Sequence, residues 1–129
     1  MTHHLEIAKR AVCTVGDTLT RTRLRPSPHK KKDDSPDTMF DQWAGAWLRE
    51  RLSQQTGFPA YSESHHEAAE RTRYRSFWWI DPIDGTRSFT IGEEFYSVSL
   101  ALVQDQRPIL GAVYQPRKKT LFWAMADGQ

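Results

Sequence analysis

A single cysteine, Cys13, occurs among the 129 residues, so no internal disulfide can staple this chain. Cys13 lies on an apolar helical stretch, which assigns it a packing role in a reducing compartment. No apolar run approaches the ~20 residues of a membrane span, and the N-terminus lacks the hydrophobic segment of a signal peptide. These absences point to the cytoplasm. Neither sign of charge dominates: 18 Lys and Arg against 16 Asp and Glu give +2, which argues against a nucleic-acid polymer or a membrane as partner. No Gly-Lys-Ser or Gly-Lys-Thr appears, which removes a Walker-type phosphate loop, and no glycine follows the alternating oxygen ligands of an EF-hand. His65 and His66 have no Cys or His at ligand spacing and read as surface residues.

What is present is patterned as one domain, with a core too small for two. Leu5, Ala8, Val12, Val15 and Leu19 recur at helical spacing and predict a first helix from about Thr2 to Thr20. Arg21 to Ser35 breaks that period with Pro26 and Pro28 and reads as a loop, on which Lys30 to Lys32 read first as solvated charges and otherwise as an attraction for an anionic substrate. A second helix is expected from Thr38, as its cap, to about Gln55, burying Phe40, Trp43, Ala44, Trp47, Leu48 and Leu52. Asp41, three residues after Thr38, reads locally as the acidic partner of a capping box. Gly57 and Pro59 stop the helix. Ala60 to Glu63 follows as a short strand, and His65 to Arg75 as a loop.

Phe77 to Ile80 reads as a strand buried on both faces, which runs into the turn Asp81-Pro82-Ile83-Asp84-Gly85-Thr86. Asp, Pro and Gly are the commonest turn residues, so a plain surface turn is one reading. In the other, the turn curls back so that Asp81, Asp84 and the Ile83 carbonyl converge as hard oxygen ligands of the type Mg²⁺ prefers. Gly85 and Thr86 then open a helical turn whose N–H groups suit a phosphate. Arg71, Arg73, Tyr74 and Arg75 beside Trp78 and Trp79 mimic a basic-aromatic nucleic-acid surface, but these tryptophans belong to a core strand.

Tyr96, Val98, Leu100 and Leu102 alternate with Ser97, Ser99 and Ala101 as a two-faced strand. Gln104 to Arg107 makes a turn, Pro108 to Tyr114 a return strand, Pro116 to Lys119 another turn, and Thr120 to Ala126 a third strand. Two helices followed by an antiparallel meander predict an α+β fold, with both helices on one face of a mostly antiparallel sheet. Asp127-Gly128 is a hairpin signal with no strand after it.

Asp33-Asp34-Ser35-Pro36-Asp37-Thr38-Met39-Phe40-Asp41, Ser62-Glu63 and Trp79 to Thr86 together resemble the inositol monophosphatase superfamily in order and spacing. Phe95 to Leu102 leading to Pro108 to Pro116 is most similar to its 3′(2′),5′-bisphosphate nucleotidase branch. The resemblance implies the N-terminal half of the αβαβα sugar-phosphatase fold, with residues 1–129 as a single truncated domain. It also implies a Mg²⁺-dependent phosphomonoesterase. Glu63, Asp81 and the Ile83 carbonyl would hold a first metal, and Asp81 with Asp84 would reach a second. Asp41 would orient Thr86 to position the attacking water, while Asp84, Gly85 and Thr86 would hold the substrate phosphate. The implied substrate is 3′-phosphoadenosine 5′-phosphate, with inositol-1-phosphate or histidinol phosphate as alternatives. Ser64 stands where members usually carry a second acid, and Met39 and Phe40 where the helix start is usually small. Members are about twice as long, and their second half supplies a further Asp. A non-catalytic binding module is therefore the rival reading, and a second copy or a complementary C-terminal half the implied partner.

Overall fold

A computed structural model describes residues 2–22, 36–62, 68–84 and 96–126. Helix α1 spans Thr2–Thr22 and buries Leu5, Ala8, Ala11, Val12, Val15 and Leu19. It ends two residues beyond the expected Thr20. Thr18 and Thr22 hydroxyls donate to the Thr14 and Thr18 carbonyls, at 2.8 and 2.9 Å, satisfying backbone acceptors in the last turns.

Helix α2 runs from Pro36 to Thr56. Proline suits a first helical position because the N–H it lacks would have no intrahelical partner. Thr38 therefore lies inside the first turn and is not the cap, and Asp41 is not the acid of a capping box. Ala44, Leu48 and Leu52 are fully buried, and Phe40 and Trp47 pack partly against them. Trp43 corrects the expected stripe, for it is 39% exposed. At the far end Gly57 adopts φ 79°, a left-handed conformation that costs glycine little, and its N–H bonds the Ser53 carbonyl. The Thr56 hydroxyl donates to the Leu52 carbonyl at 2.6 Å and accepts from the Trp78 indole N–H at 3.0 Å. One side chain thus ties the end of α2 to the start of a strand.

Five strands lie in sequence order in one sheet: β1 Ala60–Ser62, β2 Ser76–Asp84, β3 Ser97–Gln104, β4 Arg107–Gln115 and β5 Thr120–Met125. β1 and β2 are parallel and the other pairs antiparallel, giving the mostly antiparallel α+β sheet. Asp105 and Gln106 turn β3 into β4 with φ 53° and 67°, the double positive φ of a two-residue hairpin. Part of the expected loop from His65 to Arg75 is instead a 3₁₀ helix over Ala68–Arg73, whose Arg71 guanidinium lies 4.7 Å from the centre of the Trp79 ring.

Both helices pack on one face of the sheet, where Trp78, Ile80, Val98, Leu100, Leu102, Leu110 and Ala112 complete the core. Fully burying one such large side chain contributes about 1.5–3 kcal/mol. Gly16 sits against this layer so closely that a Cβ there would lie 2.5 Å from the Tyr114 ring and 2.8 Å from Pro116. Beside it, the buried Tyr114 hydroxyl donates to Asp17 at 2.7 Å.

Candidate functional site

Strand β2 does not stop at Ile80. It continues through Asp81, Pro82 and Ile83 to Asp84, so the segment read as a turn is the end of a strand. Asp81 pairs with Ser99 and Asp84 with Ser97: three steps on β2 match two on β3, and the register shifts between them. One extra residue is accommodated there, a bulge that re-aims the side chains around it. Pro82, with no N–H to give to a ladder, falls within the irregular stretch, where a sheet tolerates it. Asp81 is exposed at this bulge, whereas Ile83 is 4% exposed and belongs to the core.

Two parallel strands end here together. Ser62, the last residue of β1, pairs with Ile80, the residue before Asp81. Glu63 comes next in sequence, and with Gly85 and Thr86 it lies outside the described residues, as does the Asp84 side chain. The outward carboxyl ends of parallel strands are where open sheets present ligand sites.

Helix α2 brings the third acid to the same end. Its C-terminal Thr56 bonds Trp78, and further along the helix a Cβ on Gly45 would lie 3.4 Å from Pro82, so α2 runs antiparallel to β2. Asp41 precedes Gly45 by one turn on the same helix face. That turn rises about 6 Å, which carries Asp41 past Pro82 toward the Asp84 end of β2. Burial pushes the Asp41 carboxyl above the ordinary carboxylate range. From the other helix, Thr20 shares a 2.9 Å hydrogen bond with the Tyr96 hydroxyl, fixing the end of α1 to the start of β3 at this same margin.

Of the sequence-predicted site residues, the structure brings Asp41, Asp81, Ile83 and Asp84 to one end of the sheet. No group of three His, Cys, Asp or Glu side chains converges among the described residues, which include neither Glu63 nor the Asp84 side chain. The donors at this end are carboxylates and backbone carbonyls, and no thiolate or imidazole among the described residues joins them. That chemistry suits a hard divalent cation. Sequence reading did not anticipate that Gly45 faces Pro82, where a Cβ would sit 3.4 Å from the ring in ordinary van der Waals contact.

The whole chain, residues 1–129, matches the inositol monophosphatase family. It is 37% identical over 98 residues to the 3′(2′),5′-bisphosphate nucleotidase CysQ of Aggregatibacter actinomycetemcomitans, an alignment covering 74% of this chain and 36% of that one. With CysQ of Salmonella typhimurium it shares 36% identity over 102 residues, covering 78% of this chain and 41% of the relative. Among solved structures, the inositol monophosphatase of Zymomonas mobilis superposes with a TM-score of 0.74 at 31% identity, over 95% of this chain and 47% of that one. The IMPase of Thermotoga maritima gives 0.81 at 25% identity, over 99% and 50%. The chain thus spans about half the length of the solved structures it matches and less of the curated relatives. With all of residues 1–129 matched, and with the same helix-on-sheet architecture, the chain belongs to the inositol monophosphatase family.

Proposed function

We propose that residues 1–129 are a single unit, the N-terminal metal-binding half of a phosphatase that hydrolyses a small phosphate monoester in the cytoplasm. The observation that carries this reading is the bulged end of β2, where Asp81 and Asp84 follow the parallel β1–β2 pair and the Asp41 end of α2 runs past Pro82 toward the same margin. The proposed metal is Mg²⁺, held by Glu63, Asp81 and the Ile83 carbonyl, with Asp84 and Asp81 toward a second ion. A bound divalent cation supplies an acidified water and neutralises charge on the phosphoryl group. The half-buried Asp41 carboxylate would accept a hydrogen bond from the Thr86 hydroxyl and so orient it toward that water for attack. Gly85 and Thr86 N–H groups would bind phosphate oxygens as charge shifts onto them, and Asp84 would complete the phosphate side.

The names of the CysQ relatives support a 3′(2′),5′-bisphosphate nucleotide as the substrate, of which 3′-phosphoadenosine 5′-phosphate is the proposed one, ahead of inositol-1-phosphate and histidinol phosphate. The implied partner is a complementary C-terminal half or a second copy. The test is phosphate release from each of the three compounds with Mg²⁺, by the purified chain and by Asp81→Asn. Release that the variant lacks, greatest on the bisphosphate nucleotide, is the expected result. The exposed Phe122 and Trp123 on edge strand β5 favour a second reading, a non-catalytic module that docks another chain. Absence of release on all three substrates, with a folded chain, would leave that module.

A further inference from the structure

We propose that the groove between α1 and α2, at the helix ends remote from Asp41, is a binding site for a phosphate-bearing small molecule, separate from the candidate metal site. A cavity of about 220 Å³ opens there, several times the ~30 Å³ that one water occupies in the liquid. From α1, His3, Glu6, Arg10 and Thr14 line it at helical spacing; from α2, Arg51 and Gln55 face them one turn apart. Ile7 and Ala11 form its buried floor.

The donor balance is one-sided. Arg10 and Arg51 bring two permanent cations, and Thr14 and Gln55 add neutral donors. The cavity's one carboxylate, Glu6, is engaged by Lys9 at 3.1 Å. Neither arginine makes an ion pair among the described residues. Arg51 is also held in place: its guanidinium lies 4.5 Å from the centre of the Trp47 ring. That contact limits the guanidinium's freedom, and its N–H fork suits two oxygens of a phosphate. An anion in the groove would be shared by two cations of like sign on facing helices. Arg51 is ten residues, or about 15 Å, along α2 from Asp41. Occupancy of this groove therefore does not depend on the metal site.

The test is a titration of the metal-free chain with inorganic phosphate at constant ionic strength, following the arginine side-chain Nε–Hε resonances. Saturable shifts of Arg10 and Arg51 are expected. Arg51→Ala or Arg10→Ala should weaken binding about ten-fold or more, as loss of charged hydrogen bonds implies. Arg51→Lys, which keeps the charge and a stem on Trp47 but not the fork, should also weaken it while preserving the fold by circular dichroism. Asp81→Asn should leave affinity unchanged. The proposal is overturned if chloride reproduces the shifts, if no saturation occurs, if Arg51→Lys binds as well as the parent, or if Asp81→Asn is the variant that loses binding.

Discussion

Asp81 and Asp41 are both carboxylates at one margin of the sheet, but their surroundings assign them different behaviour. Asp81 is exposed at a bulge and contributes little to the core, so Asp81→Asn should leave the unfolding temperature of the metal-free chain within a few degrees of the parent. The same variant should lose the rise in unfolding temperature that Mg²⁺ gives the parent, because a ligand stabilises only where it binds. A rise of equal size in both proteins would remove Asp81 from the metal site. Asp41 differs because burial raises its carboxyl, so the folded state holds a proton more readily than the unfolded one. Stability then falls as pH climbs from the unfolded value, about 4, through the raised folded value. Metal-free Asp41→Asn should accordingly be more stable than the parent at neutral pH, with the gain fading near pH 4. Thermal unfolding at both pH values checks the sign.

Elements were legible wherever burial follows a period. α1, the strand core at Trp78 to Ile80 and the meander from β3 to β5 all occupy the residues that their apolar spacing marks, because one face of each is sealed against the other layer. The boundaries that sequence misplaced are those set by a single backbone group. Pro36 starts α2 earlier than Thr38 because its missing N–H costs nothing there, and β2 runs on through Pro82 because a bulge absorbs the lost donor. Residue types thus put Asp41, Asp81 and Asp84 forward as the candidate acids. That Asp41 lies toward the Asp84 end of β2 depended on α2 packing antiparallel on β2, which no local pattern encodes. Trp43 was misread for a related reason: a tryptophan at core spacing can still lie at the rim of the buried stripe. Leu48→Ala, at the centre of that stripe, should cost about 2–5 kcal/mol in denaturant unfolding, against under about 1 kcal/mol for Trp43→Ala. Comparable losses would mean that the rim of α2 is as tightly packed as its centre.

Across the whole molecule, the two faces of the sheet are finished differently. One is sealed by α1 and α2. On the other, Arg71 covers Trp79 near β2, while Phe122 and Ala124 are exposed on β5, an edge strand paired only with β4 among the described residues. Phe122 is 54% exposed, a large apolar side chain beside unpaired backbone groups. Replacing it with lysine should lower self-association of the isolated chain in sedimentation velocity at high concentration without altering its helix content. Unchanged association would place the contact elsewhere.

Tyr114 reaches back to Asp17 across 97 positions of sequence, and that span orders events in time. The hairpins from β2 to β5 join neighbours in the chain and can close early, whereas α1 must bridge almost the whole sequence to find β4. On a ribosome adding about 5–20 residues each second, Asp17 is made roughly 5–20 s before Tyr114. Among the described elements, α1 thus completes its contacts late, and until then the part of its apolar stripe that faces the sheet is a surface that chaperones can read.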